Sequence, residues 1–146
     1  WLIRRAAHLK HHPGQIAFPG GAQEPRDKDT TAAALREAQE EIGLPAQNVS
    51  ILGRLCPHET PTNFVITPVV GLVRRPFAIR PDPNEVAEVF RVPLAPVTDL
   101  TRFRRQHRHW QGQARASYAV PYGPYHIWGA TAQILHRLAQ RLQQCA

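Results

Sequence analysis

Between Asp29 and Pro45 the chain has little conformational choice. The stretch Leu35-Arg36-Glu37-Ala38-Gln39-Glu40-Glu41-Ile42-Gly43-Leu44 is helix-sized. Asp29, Thr30 and Thr31 each suit its N-cap, Gly43 fits the left-handed position after its last turn, and Pro45 prevents continuation. A helix advances about 100° per residue, so Glu37, Glu40 and Glu41 share an arc of about 100°. Leu35, Ala38 and Ile42 fall on a neighbouring arc and provide a face to bury.

Three carboxylates on one arc repel one another unless a cation neutralises them. Hard oxygen donors suit Mg²⁺ or Mn²⁺, and those ions suit phosphate oxygens. The plainer alternative is a solvated helix face, in which Arg36 and Glu40 form an ordinary i,i+4 surface pair. The Gly20-Gly21 turn just upstream favours the first reading, because a glycine turn lets the backbone come close to a phosphate. A plain tight turn is the alternative there.

A chain of 146 residues with 42% apolar residues predicts one domain, 1–146, with one core. No apolar run approaches the ~20 residues of a membrane helix, and no signal-peptide pattern opens the chain. The chain lacks methionine and begins Trp1-Leu2-Ile3, as though a strand were already under way, so the natural N-terminus is expected further upstream. Two cysteines, Cys56 and Cys145, are too few for a disulfide framework and read as free thiols of a cytoplasmic protein, with Cys56 buried. Net charge is +7. Its main concentration is Arg102, Arg104, Arg105, Arg108 and Arg115, with His107 and His109 between them. This reads as a solvated basic loop or as a site for an extra phosphate on a small substrate. His58-Glu59-Thr60-Pro61 lacks the second histidine of a zinc-protease helix, and none of the eight histidines is assigned to metal.

Strands are predicted at Leu2 to Arg5, Gln15 to Phe18, Val49 to Cys56 and Phe64 to Val73, the last interrupted at Pro68. Further strands are predicted around Val86 to Val92, at Ala116 to Val120 and at Tyr125 to Trp128. Ala6 to Pro13 and Pro57 to Thr62 read as connections, and a final helix runs from about Ala130 to Gln143. Strands mixed with two helices place the chain in the α/β (α+β) class.

Gly21-Ala22-Gln23-Glu24-Pro25-Arg26-Asp27, followed by Arg36-Glu37-Ala38-Gln39-Glu40-Glu41-Ile42-Gly43-Leu44, resembles the Nudix box. Proteins with this motif hydrolyse a nucleoside diphosphate linked to another group. The second half matches the pattern Arg-Glu-apolar-x-Glu-Glu-x-Gly-apolar throughout. In the first half Asp27 stands where a glutamate is usual, in a loop one residue longer. Leu9-Lys10-His11-His12-Pro13-Gly14-Gln15-Ile16-Ala17-Phe18-Pro19-Gly20-Gly21 is similar to the segment before the box in bacterial coenzyme A pyrophosphatases. Thr67-Pro68-Val69-Val70-Gly71 and Trp128-Gly129-Ala130-Thr131-Ala132 belong to the same pattern. Lys10 replaces the arginine usual there, and Arg4 replaces a threonine.

The resemblance implies a Nudix-type α/β/α sandwich with a mixed β-sheet. It also implies cleavage of the pyrophosphate of coenzyme A to 3′,5′-ADP and 4′-phosphopantetheine, with the thioesters of coenzyme A as further candidate substrates. Glu37 and Glu41 are expected to be the principal metal ligands, since i,i+4 spacing aims both at one point, with Glu40 completing the site or holding a second ion. Arg36 is expected to orient a carboxylate. Gly20, Gly21, Arg5 and Lys10 are the candidates for contact with substrate phosphates. Glu85 and Glu88 are the candidates outside the helix for accepting a proton from water. Other readings stay open: hydrolysis of ADP-ribose, a sugar nucleotide or a dinucleotide; a basic nucleic-acid-binding module, disfavoured because only Phe103 and Trp110 supply stacking rings in the basic stretch; and a binding protein without turnover. The expected partner is a small molecule and not a membrane, and a homodimer is left open.

Overall fold

A computed structural model describes residues 1–60, 63–110 and 112–145. The chain forms two compact units, Trp1–Phe90 and Arg91–Ala146. The first holds β1 (Leu2–Arg5), β2 (Ile16–Ala17), α1 (Thr30–Ile42), β3 (Val49–Arg54), β4 (His58–Glu59), β5 (Val65–Ile66), β6 (Val69–Val73) and β7 (Val86–Phe90). The second holds α2 (Leu94–Thr98), β8 (Arg104–Trp110), β9 (Gln113–Tyr122), β10 (Tyr125–Trp128) and α3 (Gly129–Gln144). Helices and strands thus combine in the α/β class expected. The pairings among the described residues are all antiparallel and fall into four small sheets: β2-β1-β7, β3-β6, β4-β5 and β10-β9-β8.

Helix α1 starts and stops where its caps place it. Of the three N-cap candidates, Asp29 takes the position, and its side chain accepts the Ala32 N–H at 2.8 Å. At the other end Gly43 is left-handed at φ 76° and its N–H donates to the Gln39 carbonyl at 3.0 Å, an αL cap, while Leu44 N–H reaches back to the Ala38 carbonyl at 3.2 Å. A side chain at Gly43 would press on Arg80 and the Ala78 carbonyl. The segment crossing there satisfies the next orphan carbonyls of the helix. Arg80 N–H donates to Ile42 and Asp82 N–H to Glu41.

The apolar face of α1 packs into a core of Ile3, Ala38, Ile42, Leu44 and Val86, flanked by Val49, Val73, Val89 and the edge-to-face pair Trp1–Phe77. Ala33 is buried with Ala38 and Ile42, whereas Leu35 is only half-buried. In the second unit α3 packs on β9 and β10, burying Thr131, Ala132, Leu135 and Ala139. The rings of Phe103, Tyr118 and His136 form a cluster there, with Tyr118 and His136 stacked at 4.0 Å.

Several expectations need correction. The basic stretch is no loop: Arg104 to Trp110 is a strand laddered along β9, and Arg102 ends a 3-10 turn. The stretch lacks alternating apolar residues, and a partner strand supplies its order. Cys56 is exposed, as is Cys145. The connection after Cys56 contains the short strand β4, paired with β5; Pro61 and Thr62 lie outside the described residues. The strand before Pro93 ends at Phe90, and a short helix follows the proline. Pro68 separates β5 from β6, as its missing N–H requires.

Candidate active site

The Gly20-Gly21 turn lies directly on the carboxylate face of α1. Gly20 N–H donates to Glu41 Oε2 at 2.9 Å, so this amide is already engaged by the helix. At Gly21 a Cβ would collide with the Glu37 carboxylate. Gly21 is therefore needed for close approach of the turn to Glu37, a requirement stricter than that of a plain tight turn, whereas a Cβ at Gly20 would meet open space.

Glu41 is 2% exposed and ranks among the largest fully buried side chains. Burial pushes its carboxyl up to about 7, and the charges of Glu37 and Glu85 push in the same direction. The Gly20 amide, and more weakly Arg5, oppose that shift. A glutamate buried among like charges is destabilised as an anion, and a cation bound nearby relieves it.

Arg36 organises the remaining carboxylates. It grips Asp27 through two bonds of 3.0 Å, donates to Glu37 Oε1 and Glu40 Oε2 at 2.9 Å each, and reaches the Ala22 carbonyl at 2.9 Å. This is the planar fork of arginine used in full. The guanidinium beside it, with the Glu24 N–H, holds Asp27 below the usual carboxylate range, and Asp27 in turn keeps Arg36 firmly charged. Arg26 bridges Glu24 at 2.7 Å and Glu40 Oε1 at 3.2 Å. The i,i+4 contact of Arg36 with Glu40 is thus one edge of a network, and the aspartate that replaces the usual glutamate ties the box loop to the helix. Asp27 was not predicted as a site residue; only its place in the box loop marked it.

The other candidates divide. Arg5 is half-buried on β1, its Nε is shut off from solvent without a hydrogen-bond partner among the described residues, and its charge is felt at Glu41. Lys10 is exposed on the β1–β2 connection. Glu85 lies on the loop before β7 and acts electrostatically on Glu41. Glu88 pairs with Arg4 at 2.6 Å across the β1–β7 ladder, which gives that departure from the family pattern a structural partner. The arginines of β8 belong to the second unit. A groove of about 650 Å³ beside α1 is lined by Ala32, Leu35, Gln39 and Ala46 together with Arg36 and Glu40 of the network.

The donor set fits a hard divalent ion in type. Glu37 and Glu41 are carboxylates crowded under a turn that has no room for a Cβ, and burial disfavours the charge on one of them. Both oxygens of Glu40 are engaged by arginines, and among the described residues no three His, Cys, Asp or Glu side chains already converge as a metal-binding group.

The model of the family described as "NUDIX domain" matches residues 1–116. The chain belongs to the Nudix hydrolase family. It is 42% identical over 142 residues to a protein of Photorhabdus laumondii named uncharacterized Nudix hydrolase NudL, covering 97% of this chain and 76% of that one. Proteins of the same name from Pectobacterium atrosepticum and Salmonella paratyphi B are likewise 42% identical, over 147 and 141 residues, each covering 97% of this chain and 73% of the relative. As a Nudix hydrolase the chain acts on phosphorus-containing anhydrides of small molecules. No helix among its described residues is long and apolar enough to cross a membrane.

Proposed function

We propose that this Nudix hydrolase cleaves the pyrophosphate of coenzyme A or its thioesters, giving 3′,5′-ADP and 4′-phosphopantetheine or its S-acyl derivative, with Mg²⁺ or Mn²⁺ as cofactor. The observation that carries the hydrolytic site is Glu41: a buried carboxylate under the glycine turn, destabilised by Glu37 and Glu85. The coenzyme A assignment is supported by the segment Leu9 to Gly21 and by its resemblance to the pyrophosphatases of that substrate.

Glu37 and Glu41 would hold the ion, and Glu40 would be available to it only without its two arginine contacts. A bound divalent ion neutralises phosphate charge and activates water. Arg36 keeps Glu37 in orientation and fastens the box loop to α1 through Asp27. Arg5 and Lys10 offer positive charge to the substrate phosphates, and Gly21 lets the turn close on Glu37. Glu85 accepts the proton of the attacking water. It is favoured over Glu88, which is engaged with Arg4. The second reading, hydrolysis of another nucleoside diphosphate derivative, draws support from Lys10, whose ammonium lacks the bidentate phosphate geometry of arginine.

The test is hydrolysis of coenzyme A and ADP-ribose with Mg²⁺ or Mn²⁺, wild type beside Glu41→Gln, with products resolved by chromatography. Appearance of 3′,5′-ADP from coenzyme A, lost in the variant, is expected. Turnover of ADP-ribose alone would move the assignment to the second reading.

A further inference from the structure

The loop before β7 is built on Asp82. Its Oδ1 accepts from the Asn84 N–H at 2.9 Å and from Asn84 Nδ2 at 3.0 Å. Its carbonyl accepts from Glu85 N–H at 3.1 Å and Val86 N–H at 2.8 Å. Its own N–H donates to the Glu41 carbonyl at 3.1 Å, which anchors the loop to the end of α1. Two carbonyls of the loop, those of Asn84 and Glu85, face the β1–β2 connection. Ala6 N–H donates to the Glu85 carbonyl at 2.8 Å, and His8 Nε2 meets the Asn84 carbonyl at 2.9 Å.

These bonds pin both peptide planes around Glu85. In the preceding plane, Asn84 C=O is held by His8 and Glu85 N–H by Asp82. In the following plane, Glu85 C=O is held by Ala6 and Val86 N–H by Asp82. Peptide units are rigid, so fixing the plane on each side of a residue fixes its φ and ψ and the direction in which its Cα–Cβ bond leaves the backbone. Three of these four bonds are backbone to backbone. The fourth comes from a side chain, and a carbonyl can only accept, so His8 carries its proton on Nε2. His8 is exposed, and neither the box nor the phosphate candidates account for it.

We propose that His8 is a positioning residue for Glu85: through the Asn84 carbonyl it completes the clasp that holds the Glu85 carboxylate toward Glu41. This rests on the reading of Glu85 as proton acceptor. The bond links residues 76 apart in sequence, so it fastens two loops that no local propensity joins.

The test compares the full chain with His8→Ala, His8→Gln, Glu85→Gln and the double variant His8→Ala/Glu85→Gln. It reads amide hydrogen exchange by NMR, and kcat and KM on coenzyme A and ADP-ribose as probes. In His8→Ala, exchange at Glu85 and Val86 should rise about fivefold while the α1 amides stay protected. Its kcat should fall about fivefold with KM within about twofold. His8→Gln, which keeps a donor within reach, should restore both. Glu85→Gln should lose roughly a hundredfold or more in kcat with exchange unchanged, and adding His8→Ala to it should cost nothing further. Unchanged exchange at Glu85 and Val86 in His8→Ala overturns the proposal whatever substrate is turned over. So does the same fivefold loss of kcat in the Glu85→Gln background. Wild-type turnover by Glu85→Gln overturns the Glu85 reading and the proposal with it. An inactive Glu85→Gln beside a wild-type-like His8→Ala overturns the role of His8 alone.

Discussion

Glu41 shows the opposition between stability and chemistry at a single side chain. Its carboxylate is desolvated and faces Glu37 and Glu85, so the metal-free fold carries an unfavourable charge. Glu41→Gln keeps an acceptor for the Gly20 amide and removes that charge. It should raise the stability of the chelator-treated protein by roughly 1–3 kcal/mol in urea unfolding while abolishing hydrolysis. Gly21→Ala separates the two properties differently. Its Cβ meets the far end of the Glu37 side chain and not backbone, so Glu37 moves aside and the fold tolerates the change. Stability should stay within about 1 kcal/mol, while kcat/KM falls at least about tenfold because a proposed ligand is displaced. At Asp27 the folded state favours the ionised form, so its contribution is present above the ordinary value of 3.8 and is lost as pH falls below that value.

At the scale of elements, α1 is held by its two ends as much as by its buried face. Asp29→Ala removes the N-cap acceptor of Ala32 and should cost about 1 kcal/mol in thermal or urea unfolding. Gly43→Ala forces a side chain into a left-handed position against Arg80 and the Ala78 carbonyl, and should cost about 1–2 kcal/mol. That second change also reaches the site, because the segment at Gly43 continues through Asp82 to Glu85. In the second unit, burial holds His136 below its ordinary 6.5, against the stacked Tyr118 ring. The unfolded chain binds the proton more readily, so stability is full above pH 6.5 and declines as pH falls through that value. Melting temperatures measured from pH 7.5 to 5.5 should drop more steeply for wild type than for His136→Phe.

Over the whole molecule, the entire box and every proposed metal ligand lie in the unit Trp1–Phe90, while all five clustered arginines lie in the unit Arg91–Ala146. Addition of Mn²⁺ should therefore raise the melting temperature of wild type and leave that of Glu41→Gln nearly unmoved, since a ligand stabilises only the fold that binds it. Much of this was legible from residue order. The limits of α1, the break at Pro68, the β9–β10 turn and the helix after Trp128 follow from local rules: a capping aspartate, a left-handed glycine, a proline without its N–H, and apolar periodicity. Charged β8 was not legible, because its order comes from hydrogen bonds to the neighbouring strand β9 and not from its own pattern. The site divides in the same way. Residue order alone determined that Glu37, Glu40 and Glu41 share a helix face with Arg36 beside them, because helical geometry relates near neighbours. Only the tertiary structure decided that Glu41 is buried under Gly20, that Asp27 grips Arg36, that Glu88 belongs to Arg4, and that Glu85 is clasped from His8. Each of those depends on desolvation or on contact across long sequence separations, which local pattern does not encode.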